Sequence, residues 1–112
     1  MSLLKVKEGK NIHEYEFNNK EDFMEGIKDF MQLLIPDGDD LAFDLFKDNE
    51  YQKLNMALEY HYAGEELDNV KKAYLILDDM CANDLAHAVE RIDELNAILS
   101  ELHYDITYQI VE

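Results

Sequence analysis

From Glu65 to Glu112 the chain contains neither glycine nor proline, so nothing in that stretch forces a break in regular structure. Within it Leu67, Val70, Tyr74, Leu77 and Cys81 recur at alternating spacings of three and four, the period of one helix face. A second set follows: Leu85, Ala88, Ile92, Leu95, Leu99 and Leu102. The two sets fall out of phase between Cys81 and Leu85, where Asn83 or Asp84 can cap a new helix. A helical hairpin is expected there, with one continuous rod as the alternative. Tyr104, Ile106, Tyr108 and Ile110 then alternate with Asp105, Thr107 and Gln109, which predicts a half-buried C-terminal strand.

The first part of the chain is more varied. Leu4 and Val6 alternate with polar residues, Glu8-Gly9-Lys10-Asn11 supplies a turn, and His13, Tyr15 and Phe17 alternate again, predicting an N-terminal hairpin. Asn18 and Asn19 offer N-caps, with Glu21 completing a capping box, and Phe23, Ile27, Phe30 and Leu34 place one face of a helix over residues 20–34 in the core. Pro36 and Gly38 end it. Asp39 can cap a short second helix that presents Leu41, Ala42, Leu45 and Phe46 inward and turns Phe43 away. Leu54, Met56, Leu58, Tyr60 and Tyr62 alternate as in a strand, although Leu54, Ala57, Leu58, His61 and Tyr62 also fit a helix. The two tyrosines and the Ala63-Gly64 stop favour the strand. The expected fold is α+β in one domain over residues 1–112: a small antiparallel sheet of N-terminal hairpin, middle strand and C-terminal strand, with three to four helices packed on it.

Charge narrows the function classes. Asp and Glu number 26 against 10 Lys and Arg, a net of −16. Residues 1–20 hold four lysines and three glutamates, so the remainder carries −17. Such a surface repels nucleic-acid phosphates and anionic headgroups and attracts basic proteins, so direct nucleic-acid and membrane contacts are not expected. With 47% hydrophobic and 11% aromatic residues the chain is too apolar to stay disordered. Its one cysteine makes no internal disulfide, which together with the lack of a signal-peptide pattern points to the cytoplasm.

Acids cluster at Asp37, Asp39, Asp40, Asp44, Asp48 and Glu50, with Glu65, Glu66 and Asp68 around the next turn. Asp40, Asp44 and Asp48 stand one helical turn apart. Like charges so placed cost about 0.2 to 0.5 kcal/mol per pair, against the plain reading of a solvated face. The ligand order of an EF-hand calcium loop is absent, and Asp84, His87 and Glu90 supply less than half of a di-iron carboxylate site. Cys81 lies on an apolar stripe behind Asp78 and Asp79, which disfavour a thiolate. No catalytic, metal or cofactor site is expected. Tyr60, Tyr62, Tyr104 and Tyr108 are read first as core, with a side-by-side interface cluster as the alternative.

The expectation is a non-enzymatic acidic protein-binding module whose partner is a basic protein. Its most specific form is an inhibitor that mimics nucleic acid and occupies the basic site of a DNA- or RNA-acting enzyme. The alternative is a structural subunit, a homodimer pairing its heptad-spaced helices, with acids serving solubility.

Overall fold

The computed structural model describes residues 2–17, 19–35 and 40–111. Strands β1 (Leu3–Glu8) and β2 (Asn11–Glu16) form the expected hairpin. Glu8 pairs with Asn11, leaving Gly9 and Lys10 as the turn, and Gly9 has a φ of 57°. A positive φ at the first turn position only is the type II′ geometry, which costs glycine no steric strain. Strand β3 (Ile106–Val111) joins the free side of β1, giving an antiparallel sheet of order β2-β1-β3.

Among the described residues five helices accompany the sheet: α1 (Lys20–Leu34), α2 (Leu41–Lys47), α3 (Tyr51–His61), α4 (Gly64–Ala82) and α5 (Leu85–Glu101). The α+β class is as expected, with one helix more because the segment expected as a middle strand is α3. Leu54 and Leu58 are buried one turn apart, whereas Met56 and Tyr60 face solvent, so the helical period decides its burial and the alternation does not. With that strand gone, Tyr60 and Tyr62 cannot lie beside Tyr104 and Tyr108 in a sheet.

Helix α1 starts where Asn19 accepts hydrogen bonds from the N–H groups of Glu21 and Asp22 at 3.0 and 3.3 Å. Phe23, Ile27, Phe30, Met31 and Leu34 are all fully buried. Gly26 lets this helix lie close to the sheet, because a Cβ there would stand 3.0 Å from Leu4 Cδ2 and 3.1 Å from Tyr15 Cδ2. Pro36, Gly38 and the expected cap Asp39 lie outside the described residues. Helix α2 is rotated from the expected face: Ala42, Phe43 and Phe46 are buried and Leu41 is 44% exposed. Phe43 packs under the Lys28 ammonium, 5.6 Å from its ring centroid, because α1 flanks α2 on that side.

Helices α4 and α5 form the hairpin inferred from the phase break, and Asp84 caps α5 by accepting from His87 N–H at 3.0 Å. Their stripes face the shared core through Val70, Tyr74, Leu77, Ala88, Leu95 and Leu99. Helix α5 ends in a Schellman motif: His103 at φ 63° donates to the Ser100 carbonyl, and Tyr104 N–H to that of Leu99. Helix α2 ends alike, with Asn49 at φ 59°, Asn49 N–H on the Phe46 carbonyl and Glu50 N–H on that of Leu45.

The helices cover the sheet face that presents Leu4, Val6, Ile106 and Tyr108. The opposite face carries Leu3, Lys5, Lys7, Ile12, Glu14, Glu16, Thr107, Gln109 and Val111. The outer edge of β3 is closed by a side chain: Asn96 of α5 accepts from Tyr108 N–H at 2.9 Å and donates to Tyr108 C=O at 2.8 Å.

Candidate interaction surface

The acid-rich segment reaches its geometry through α2. Asp40 precedes the helix and Asp48 follows it, so the helix proper holds only Asp44 of the row. The chain stays nearly helical through both ends, with Asp44 N–H on the Asp40 carbonyl at 2.8 Å and Asp48 N–H on that of Asp44 at 3.0 Å. The three carboxylates therefore keep their one-turn steps, spanning roughly 12 Å. Asp48 sits at the negative end of the helix dipole, an unfavourable place for an anion. Asp40 caps nothing with its side chain, which instead accepts from Gln32 Nε2 at 2.6 Å.

The described members of the nine expected residues are spread along the helical layer. Asp37 and Asp39 lie outside the described residues. Asp40 lies at the end of the helical layer where the Tyr62 hydroxyl meets the Leu34 carbonyl and Tyr104, and Glu65 and Glu66 open α4 at that same end. Asp68 follows in the next turn of α4, whose neighbour Asn69 reaches Glu101 at 3.4 Å. Asp48 and Glu50 lie at the opposite end, where Tyr51 meets Asp78 at 2.5 Å. Asp44 lies between.

Neutralisation is uneven. Glu50 pairs with Lys53 at 3.8 Å, Glu59 with Lys71 at 3.4 Å, and Arg91 with both Asp79 at 2.9 Å and Glu94 at 3.2 Å. Asp79 also accepts from His87 at 2.6 Å. The bond to His87, followed by that to Arg91, holds its carboxyl below the usual range. This engagement also accounts for His87, and Asp84 is spent as a cap. Asp44, Asp48, Glu65, Glu66 and Asp68 are exposed and form no ion pair among the described residues.

Two features were not anticipated from the sequence. Glu8 extends the inward series Leu4, Val6, Glu8, and that alternation was the signal for it. Its Oε1 is shut off from solvent without a protein donor directed at it, and its carboxyl faces Asp29 of α1. Hydrogen bonding toward Asp29, then desolvation, then the Asp29 charge push Glu8 up to about 7. Beside them Tyr108 is fully buried and pushed upward, by burial first and then by Glu8 and Asp29.

The second is a cleft of about 370 Å³ walled by Phe17, Phe23, Phe46 and Tyr51, with Lys47 and Asp78 at its rim. The Tyr51 proton is committed to Asp78, and burial followed by that bond raises the hydroxyl's pKa. Among the described residues no three His, Cys, Asp or Glu side chains converge as metal ligands, and no helix is long and apolar enough to cross a membrane. No family model, curated protein or solved structure matches this chain.

Proposed function

We propose that this chain is a non-enzymatic binding module that engages a basic protein through the acids of its helical layer, in its most specific form by occupying the nucleic-acid site of a DNA- or RNA-acting enzyme. The observation that carries the reading is the division of charge over the surface. The outer sheet face balances Lys5 and Lys7 against Glu14 and Glu16, while Asp44, Asp48, Glu65, Glu66 and Asp68 stand exposed and unneutralised by described residues on the helices.

Magnitudes set what this surface has to do. The molecule is 40 Å long, a length over which duplex DNA carries about 24 phosphate charges, against a net of −16 here. Its 26 acids share 6661 Å², roughly one per 250 Å², whereas a duplex carries about one per 100 Å². Because Glu14 and Glu16 on the outer sheet face are balanced by Lys5 and Lys7, the net negative charge lies on the rest of the surface, in the direction that mimicry requires.

The test is capture of lysate proteins at low salt on the immobilised chain, followed by elution with duplex DNA and, separately, duplex RNA, with a charge-matched acidic protein as control. A nucleic-acid enzyme released by either duplex and absent from the control supports the reading. Capture of only the control's set of basic proteins rejects it.

A second reading, as an assembly subunit, is favoured by the uncovered sheet face, where Ile12 and Val111 are exposed in a charge-balanced setting. The apolar stripes of α4 and α5 are used within one chain, so association in this reading runs through the sheet. Sedimentation over a concentration series separates the two, since a monomer at all concentrations rejects assembly.

A further inference from the structure

Helix α3 buries Leu54 and Leu58 and exposes two large side chains on its other side, among Gln52, Lys53, Glu59 and His61: Met56 is 64% exposed and Tyr60, one turn on, 89% exposed. No hydrogen bond, ion pair or ring contact engages Tyr60 among the described residues, so the fold does not account for a tyrosine there. The chain that follows it is acidic. Residues 59–68 contain Glu59, Glu65, Glu66 and Asp68 and no lysine or arginine, and only Tyr62 and Ala63 separate α3 from α4. Glu59 is met by Lys71 and Lys53 is met by Glu50, while Glu65 and Glu66, which open α4 five and six positions after Tyr60, form no ion pair among the described residues.

We infer that Tyr60, with Met56 behind it, is the anchor of the acidic surface and receives an arginine side chain of the basic partner, a deepening that rests on the binding-module reading above. An apolar partner face would strip water from Glu65 and Glu66 without compensation. A nucleic acid is repelled by the same acids. A cation is drawn in by them, and of the two common cations the guanidinium both stacks flat on an aromatic ring and forks to carboxylates, whereas the ammonium is a strongly hydrated point charge.

The experiment uses labelled oligo-arginine and oligo-lysine peptides of equal length, titrated by fluorescence anisotropy over a salt series into the intact chain and three variants. Tyr60→Ala and Tyr60→Phe probe the ring, and Glu65→Gln with Glu66→Gln and Asp68→Asn probes the charge. The arginine peptide is expected to bind more tightly. Tyr60→Ala should shrink that preference by about two- to fivefold with the salt slope kept, while Tyr60→Phe retains it. The acid variant should flatten the salt slope for both peptides. A preference unchanged in Tyr60→Ala, or equal binding of both peptides to the parent chain, overturns the anchor and leaves the acidic surface standing. Failure of both peptides to bind at low salt overturns the binding-module reading itself, and the anchor falls with it.

Discussion

The Tyr62 hydroxyl donates to the carbonyl of Leu34 at 2.8 Å, and because it has a single proton, the 3.1 Å contact with Tyr104 requires Tyr104 to be the donor there. One relay thus joins the last turn of α1, the exit of α3 and the approach to β3. Burial, and then the bond to Tyr62, push the Tyr104 hydroxyl upward, as expected for a donor whose proton is in use. Tyr62→Phe should strand the Leu34 carbonyl and the Tyr104 hydroxyl together, at a cost of about 1 to 3 kcal/mol in urea denaturation. An unchanged midpoint would show that water replaces the relay.

Asn96 acts as a surrogate strand on the outer edge of β3. Asn96→Ala should lose about 1 to 3 kcal/mol and open a backbone edge to other chains, visible as concentration-dependent light scattering. Asn96→Asp keeps an acceptor for Tyr108 N–H but sets a carboxylate against Tyr108 C=O, so it should destabilise as well.

The Glu8 and Asp29 pair makes stability depend on pH in a definite direction. Glu8 holds its proton to about 7 in the fold against an ordinary value of 4.5, so the folded state binds the extra proton between these limits. The pair's contribution is complete below pH 4.5, declines as pH rises and is gone above about 7. Glu8 is partly exposed, and solvent screening brings the expected loss to about 1 kcal/mol. Glu8→Gln should remove this decline relative to the parent chain in denaturant titrations from pH 5 to about 8, and parallel pH profiles for the two proteins would reject a proton held on Glu8.

His103 holds a left-handed conformation that an L side chain adopts at a cost of about 1 kcal/mol. His103→Gly should therefore raise the melting temperature slightly, by a net gain of no more than about 0.5 kcal/mol after the greater chain entropy of glycine is counted. A loss instead would mean that the imidazole makes a stabilising contact.

The span, the buried face and one of the two expected caps of α1 were readable, since Phe23, Ile27, Phe30 and Leu34 are all fully buried and Asn19 caps it, while Asn18 lies outside the described residues. The pairing of β1 with β2, the break at Asn83 and Asp84, and the inward residues Ile106 and Tyr108 were also readable, because local period and capping decide them. Helix α3 was not. Met56 and Tyr60 are apolar but face water, and with Leu54, Leu58 and Tyr62 they imitate a period of two, so the feature that hid the helix is the one proposed as an anchor. The facing of α2 was missed because it depends on α1 lying over Phe43, a tertiary contact without a local signal. For the surface, the one-turn spacing of Asp40, Asp44 and Asp48 was legible, but that Asp40 shares an end of the helical layer with Glu65 and Glu66 while Asp48 lies at the other follows from the direction each helix runs.

The central strand meets its two neighbours at very different moments of synthesis. Across the Gly9-Lys10 turn β1 finds β2 at once, but Leu3 pairs on its other side with Val111, so that edge stays bare until Ile106–Val111 has been made. During that interval the nascent hairpin carries an unpaired strand edge that another hairpin can occupy. Closing the sheet then requires bringing distant segments together against loop entropy, which makes docking of β3 a late, slow event in folding.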